Sequence, residues 1–289
     1  MQLALDNFAL LHHFDDFTSI AMAKQLGFDA ISYDFYPMPQ NAQMFTADFR
    51  EYAARVRQCL EAHGLRCNQA HAPDGQFGEP WSEEQPAFGA ILRAMEAASI
   101  LGAPYIVIHT IRIPAGEDVS FETYNYGFLK SLEPYSRRFG IQIALENLPD
   151  RDKTRQYYIP GFFGASEAVN AMLRKLDSDR FVFCLDTGHA SLAGLEPEDF
   201  IAAVDPQYLK LIHIQDTDYK TDSHMLPYVG DFHWEAIMQS LKRVGYAGDF
   251  TYEITKYVRK FPAALYPDVL KLAASVGRYL IDIYEQTAP

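Results

Sequence analysis

Cysteine is scarce: Cys59, Cys67 and Cys184 are the only three in 289 residues, and no CxxC pair occurs. Neither a disulfide framework nor a thiolate zinc site is expected, and a reducing cytoplasm fits. Basic residues are the next shortage, with 25 Lys and Arg against 38 Asp and Glu, a formal charge of -13. A surface of that sign repels the phosphate backbone that supplies most nucleic-acid affinity, so no nucleic-acid partner is expected. No apolar run approaches the ~18 residues of a membrane-spanning helix. Met1 to Leu11 carries no Lys or Arg ahead of its apolar residues, unlike a secretory signal. GxGxxG and GxxxxGK[ST] loops are missing, as is any Pro/Ser-rich linker. What is present is globular composition, 48% hydrophobic and 22% charged.

Short β-like runs alternate with amphipathic stretches from end to end, the pattern of repeated βα units around a parallel sheet. The spacing predicts strands at Gln2–Asn7, Ala30–Phe35, Arg66–His71, Tyr105–Thr110, Ile141–Asn147, Phe181–Asp186, Lys210–Gln215 and Phe250–Ile254. Between them it predicts helices at Asp16–Leu26, Ala47–His63, Pro86–Leu101, Phe121–Phe139, Ser166–Leu176, Pro197–Val204, Trp234–Val244 and Pro267–Glu285. Gly27, Gly64, Gly102, Gly140 and Gly245 each close a helix before a strand. Eight such units predict an α/β fold of one (β/α)8 TIM barrel, residues 1–289 as a single domain.

In such a barrel the site lies at the C-terminal strand ends, and side chains alternate between faces with period two. In the sixth strand Phe181, Phe183 and Leu185 share one parity and suit the helix side, which turns Val182, Cys184 and Asp186 to the axis. The same reading puts Glu146 after Gln142 and Ala144, Glu253 after Thr251, and His213 after Leu211. It also puts His109 after Tyr105 and Val107, His71 after Cys67 and Gln69, and Asp34 after Ala30 and Ser32. An acid or an imidazole thus ends strands two to eight on the axis side. Alone, each reads as a hydrogen-bonded structural residue. Together, so many carboxylates and imidazoles in one mouth call for a cation among them. Oxygen and nitrogen donors without sulfur suit Mn2+, Zn2+, Co2+ or Mg2+. Arg112, beyond His109, is a candidate anion or hydroxyl contact. His12 and His13 are loop candidates for substrate, whereas His63 and the His233–Trp234 pair read as helix-end and packing residues. The aromatic stretch Tyr157, Tyr158, Phe162, Phe163 is either a lid or a packed loop.

ALENLP around Glu146, CLDTGHASLAG around Asp186 and His189, LIHIQDTDYKTDSHMLP from Leu211 to Pro227, and TYEI at Glu253 resemble the xylose isomerase-like TIM-barrel superfamily. The likeness extends over essentially the whole chain, toward its sugar phosphate isomerase/epimerase group and the related ketose 3-epimerases and inosose isomerases. It implies that Glu146, Asp186, His213 and Glu253 coordinate one divalent metal and that Glu146 and Glu253 also act as acid and base. Substrate contacts would then come from His71, His109, His189, Asp222, His224, Arg112 and Asp34. The implied substrate is a small sugar, polyol ketone or relative; with no Gly-rich phosphate cradle or dense Lys/Arg cluster, a non-phosphorylated or oxidised sugar is preferred. Ketose 3-epimerases usually place an arginine shortly after the metal-binding histidine, where this chain reads Asp216-Thr217-Asp218-Tyr219-Lys220.

Endonuclease IV enzymes, with three zinc ions, share the superfamily. Residues resembling their ligands occur at His71, His109, Glu146, Asp186, His189, His213, Asp222, His224 and Glu253. This implies an alternative, a second metal serving a lyase, dehydratase or phosphoester hydrolase. A non-catalytic sugar-binding subunit is a third reading, because a barrel can keep its pocket without turnover. Barrels of this kind often pair through helix faces, which leaves a homo-oligomer open.

Overall fold

The computed structural model describes residues 1–75, 77–116, 118–152 and 154–288. Its strands are β1 (Leu3–Asp6), β2 (Ala30–Asp34), β3 (Arg66–His71), β4 (Tyr105–Val107), β5 (Gln142–Glu146), β6 (Pro149–Arg151), β7 (Tyr158–Pro160), β8 (Phe181–Asp186), β9 (Leu209–Ile214) and β10 (Phe250–Tyr252). Eight of them close a parallel barrel in the order β1-β10-β9-β8-β5-β4-β3-β2, and β6 and β7 form a separate antiparallel hairpin after β5. All eight expected strands and eight expected helices are present, with ends shifted by a few residues. The helix Thr187–Leu192, directly after β8, was not expected.

Local chemistry explains the boundaries. Asp15, Gln85 and Ser120 each accept a hydrogen bond from a backbone N–H of the helix they precede, supplying a partner the first turn lacks. Gly102 and Gly140 close their helices at φ 87° and 68°, a left-handed conformation that costs glycine little. β4 and β10 end earlier than expected, yet the backbone beyond them stays paired: Ile108 N donates to Ala144 O and Glu253 N to Ile214 O. His109 and Glu253 are therefore carried at the rim on extended strand ends.

Parity sorts the sheet into two faces. Ile143, Leu145, Phe181, Phe183, Leu185, Ile212, Ile214, Phe250 and Tyr252 join the large core shared with the helices. Val107, Ala144, Val182, Cys184 and Leu211 form a separate apolar cluster, the layer inside the barrel. One expectation fails. Cys67 belongs to the helix-side core because β3 shifts register against β2, Ile31 pairing with Cys67 but Ser32 with Gln69. Beyond this bulge both Asn68 and Gln69 meet axis residues, Thr251 and His213, so His71 keeps its expected direction although Cys67 does not.

Asp216, two residues beyond the end of β9, is structural. Its carboxylate accepts from the Thr217, Tyr228 and Phe232 amides and from Trp234 Nε1, fixing the connection to the next helix. Among the described residues no helix is long and apolar enough to cross a membrane.

Candidate metal centre

Four strand ends bring Glu146, Asp186, His213 and Glu253 together, with one donor atom from each within 4.8 Å of the others. His213 Nδ1 is 3.0 Å from Glu146 Oε1 and 2.9 Å from Glu253 Oε2. Glu146, Asp186 and His213 are almost fully buried. Two further groups adjoin this one. His71 and His109 face each other at 3.1 Å through their Nε2 atoms, and His109 Nε2 is 2.7 Å from Glu146 Oε2, so Glu146 belongs to both groups. On the other side His189, Asp222 and His224 meet, with Asp222 Oδ1 3.1 Å from His224 Nε2 and 3.8 Å from His189 Nε2.

Every one of these imidazoles is held from behind. Nδ1 of His71 bonds Ala72 O at 2.8 Å, that of His189 bonds Asn147 O at 3.0 Å, and that of His224 bonds Glu253 O at 2.9 Å. A carbonyl oxygen only accepts, so Nδ1 carries the proton and a neutral ring turns its Nε2 lone pair to the cavity. Asp74 Oδ1 does the same for His109 Nδ1 at 2.6 Å. His213 is reversed: the Gln69 side-chain amide meets Nε2 at 2.6 Å, and Nδ1 faces the glutamates. Such outer contacts orient metal-binding histidines and fix their tautomer.

The carboxylates are anchored too. Asp186 ends β8 and caps the helix that follows, accepting from His189 N at 2.6 Å, while Gln215 Nε2 bonds its Oδ2 at 2.9 Å. Gln215 reaches Asp186 by crossing Gly188, where a Cβ would lie 2.4 Å from the Gln215 amide carbon; glycine is required in LDTGH for that reason. Asn147 exchanges two hydrogen bonds with the Asp186 backbone, tying the ends of β5 and β8. His224 has a positive φ of 45°, a costly backbone for a residue with a side chain, held by Gln215 Oε1 accepting from its amide.

The electrostatics are those of a site built around positive charge. Burial by itself would raise the Glu146 carboxyl, but His213, His109 and His189 overrule it and hold it well below its ordinary range. Glu253 is likewise held at about 2, burial being outweighed by His213 and His224. Asp186 goes the other way, pushed up to about 7 by burial and by the charges of Glu253 and Glu146, which His189 only partly offsets. A divalent cation among these atoms would relieve that repulsion. The buried Oε2 of Glu253, without a well-aligned hydrogen-bond donor, points the same way. The residues present therefore fit a bound divalent metal.

Beside His109 and Asp74 opens a cavity of about 560 Å3, flanked by Arg112, Phe121 and, from the hairpin after β5, Phe162. The aromatic stretch divides: Tyr157 is exposed, Phe163 is buried, and Phe162 packs between Phe163 and Phe121. Asp34 ends β2 level with His71, buried near Asp6, its carboxylate accepting from Tyr36 N. His63 closes its helix on Cys59 O, and His13 packs on Tyr266, away from the ligand groups. Sequence reasoning missed Asp6, the acid ending β1, which burial and Glu253 push up to about 6. Asp74, Asn147, Gln215 and Lys256 were missed as well. Gln215, on the parity of Leu211 and His213, and Asp6, on that of Ala4, carried a usable signal.

Residues 20–275 match the model of the xylose isomerase-like TIM barrel, and the chain belongs to that family. It is 25% identical over 201 residues to the uncharacterized protein MJ1311 of Methanocaldococcus jannaschii, covering 68% of this chain but only 62% of that protein's length. Among solved structures it is similar to a D-tagatose 3-epimerase-like protein at 19% identity and TM-score 0.72, covering 97% of this chain and 100% of that one. It is also similar to the IolI protein with a bound zinc atom, at 15% identity and TM-score 0.73, covering 100% and 99%. At these identities the likeness establishes the fold.

Proposed function

We propose that the chain is a divalent-metal-dependent sugar isomerase or epimerase, moving a proton next to a carbonyl of a small sugar, polyol ketone or related substrate. The observation that carries this reading is the convergence of Glu146 and Glu253 on His213 Nδ1, at 3.0 and 2.9 Å, from strands separated by β8 and β9. Both glutamates are held ionised, so each has a lone pair to take a proton. With Asp186 they form an oxygen and nitrogen donor set suited to Mn2+, Zn2+, Co2+ or Mg2+. When bound, the ion would supply Lewis acidity at a substrate carbonyl and the neighbouring hydroxyl. One glutamate removes a proton from the adjacent carbon, and a proton drawn from solvent through the other glutamate is returned; the carbon that receives it decides between epimer and isomer. His71, His109, His189, Asp222, His224 and Arg112 surround that point with hydroxyl partners, and Asp34 and Asp6 end β2 and β1, the next strands round from that of His71. The D-tagatose 3-epimerase-like neighbour supports the substrate class. We take residues 1–289 as one domain acting on a cytoplasmic small molecule, without nucleic acid, with pairing of barrels left to test.

Incubation with ketoses and cyclic polyol ketones in 2H2O tests the reading. Deuterium should enter the reacting carbon, and Glu146→Gln or Glu253→Gln should abolish the exchange. If the metal-loaded protein exchanges no hydrogen in any of them, the reading fails.

A second reading has its own observation: Glu146 bridges the main group to His71 and His109, and a third group adjoins. Two or three bound zinc ions would favour lyase or phosphoester chemistry.

A further inference from the structure

The third ligand group differs from the main one in its charge. Glu146, Asp186 and Glu253 set three carboxylates around one imidazole, whereas Asp222 is the lone carboxylate between His189 and His224. That lone carboxylate already has a cation. Lys256, three residues beyond Glu253 in the short helix Thr255–Val258, brings its Nζ to 2.5 Å from Asp222 Oδ2 and 2.9 Å from Asp222 O. Backbone and side chain of Asp222 are thus clamped by one ammonium, and Oδ1 is left facing the two rings.

The two rings have their Nδ1 protons committed to Glu253 O and Asn147 O. When neutral, they point Nε2 lone pairs at the region that Asp222 Oδ1 also faces. With both rings neutral, three acceptor atoms surround one position and the charges of Asp222 and Lys256 cancel. A divalent ion entering the main group would meet excess negative charge, but in this group it would add to Lys256. Hydroxyl hydrogens of a neutral polyol fit three acceptors without that repulsion.

We infer that the Lys256 ammonium stands in for a metal at this group, so that His189, Asp222 and His224 receive substrate hydroxyls and do not bind a divalent cation. Lys256 is here a positioning residue, and the inference rests on the isomerase reading with its metal at the Glu146–Asp186–His213–Glu253 group.

The test is zinc content by elemental analysis, after equilibration with excess Zn2+ and removal of free ion. Because Lys256 is half-exposed, the work is done at low ionic strength, where salt screens it least. Lys256→Met should gain one equivalent over the wild type, and Asp222→Asn placed in that variant should remove the gain. Asp222→Asn alone should leave the wild-type content unchanged, and Lys256→Arg should retain it, since the charge is kept. Matching melting curves would show that the variants fold. No gain in Lys256→Met, or loss of zinc in Asp222→Asn alone, overturns the inference. Failure of the underlying reading is seen separately, as zinc that survives the double change Glu146→Gln/Glu253→Gln.

Discussion

One step of two residues along the same strands separates a dry layer from a charged one. Ala144 precedes Glu146, Cys184 precedes Asp186 and Leu211 precedes His213; the lower members pack with Val107 and Val182, and the upper ones form the ligand group. The dry layer is complete by itself and makes a rigid floor. The charged layer is locally unfavourable, three carboxylates crowded out of water, and holds its shape because backbone carbonyls, Asp74, Gln69 and Gln215 fix each donor from behind. On the proposed reading, stability resides below and chemistry above.

The comparison breaks most sharply at the glutamates. Glu146→Gln and Glu253→Gln should each lower turnover by about 10³-fold or more while leaving the melting temperature of the metal-free protein unchanged or raised, as expected for removing acid–base groups from a strained site. Steady-state rates beside calorimetry check both halves; an unfolded Glu253→Gln would contradict the division of roles. In the dry layer the effects should reverse. Leu211→Ala should cost about 2–5 kcal/mol by denaturant unfolding, from lost burial and a cavity, with kcat per folded molecule within a few-fold of the wild type.

Metal removal sharpens the contrast from the ligand's side. A chelator should lower stability by about 3 kcal/mol relative to protein in metal at ~100 times Kd. In Glu146→Gln/Glu253→Gln the same treatment should change the melting curve little.

The smallest effect concerns a buried acid outside the ligand groups. Asp16 is pushed up to about 6 by burial, against the hydrogen bond it accepts from Tyr52. Its folded value lies above its unfolded one, so ionising it costs stability above pH 6, and the cost fades as pH falls from 6 toward 4. Asp16→Asn should therefore gain about 2 kcal/mol at pH 8 and nothing near pH 4. An equal gain at both pH values would show that the cause is packing, not charge.

The barrel was legible because alternation with period two and helix-ending glycines such as Gly102 and Gly140 are local signals. Glu146, Asp186, His213 and Glu253 were legible for the same reason, each being the last axis-facing residue of its strand. Cys67 was misread because a bulge inserts a residue without changing the composition of the strand. Asp74, Asn147 and Lys256 lie past strand ends, where parity no longer applies and only the path of the loop brings them to His109, Asp186 and Asp222. Asp6 carries the same signal as the other strand-end acids, following Ala4 on the parity opposite Leu3 and Leu5.

The central claim is that Glu146, Asp186, His213 and Glu253 hold a divalent metal. Elemental analysis of protein purified without chelator, beside the Glu146→Gln/Glu253→Gln double variant, tests it most directly. The account predicts at least one bound divalent ion per chain in the wild type and its loss in the variant. A wild type without such an ion after metal loading, or a folded variant that retains all of it, would contradict the account.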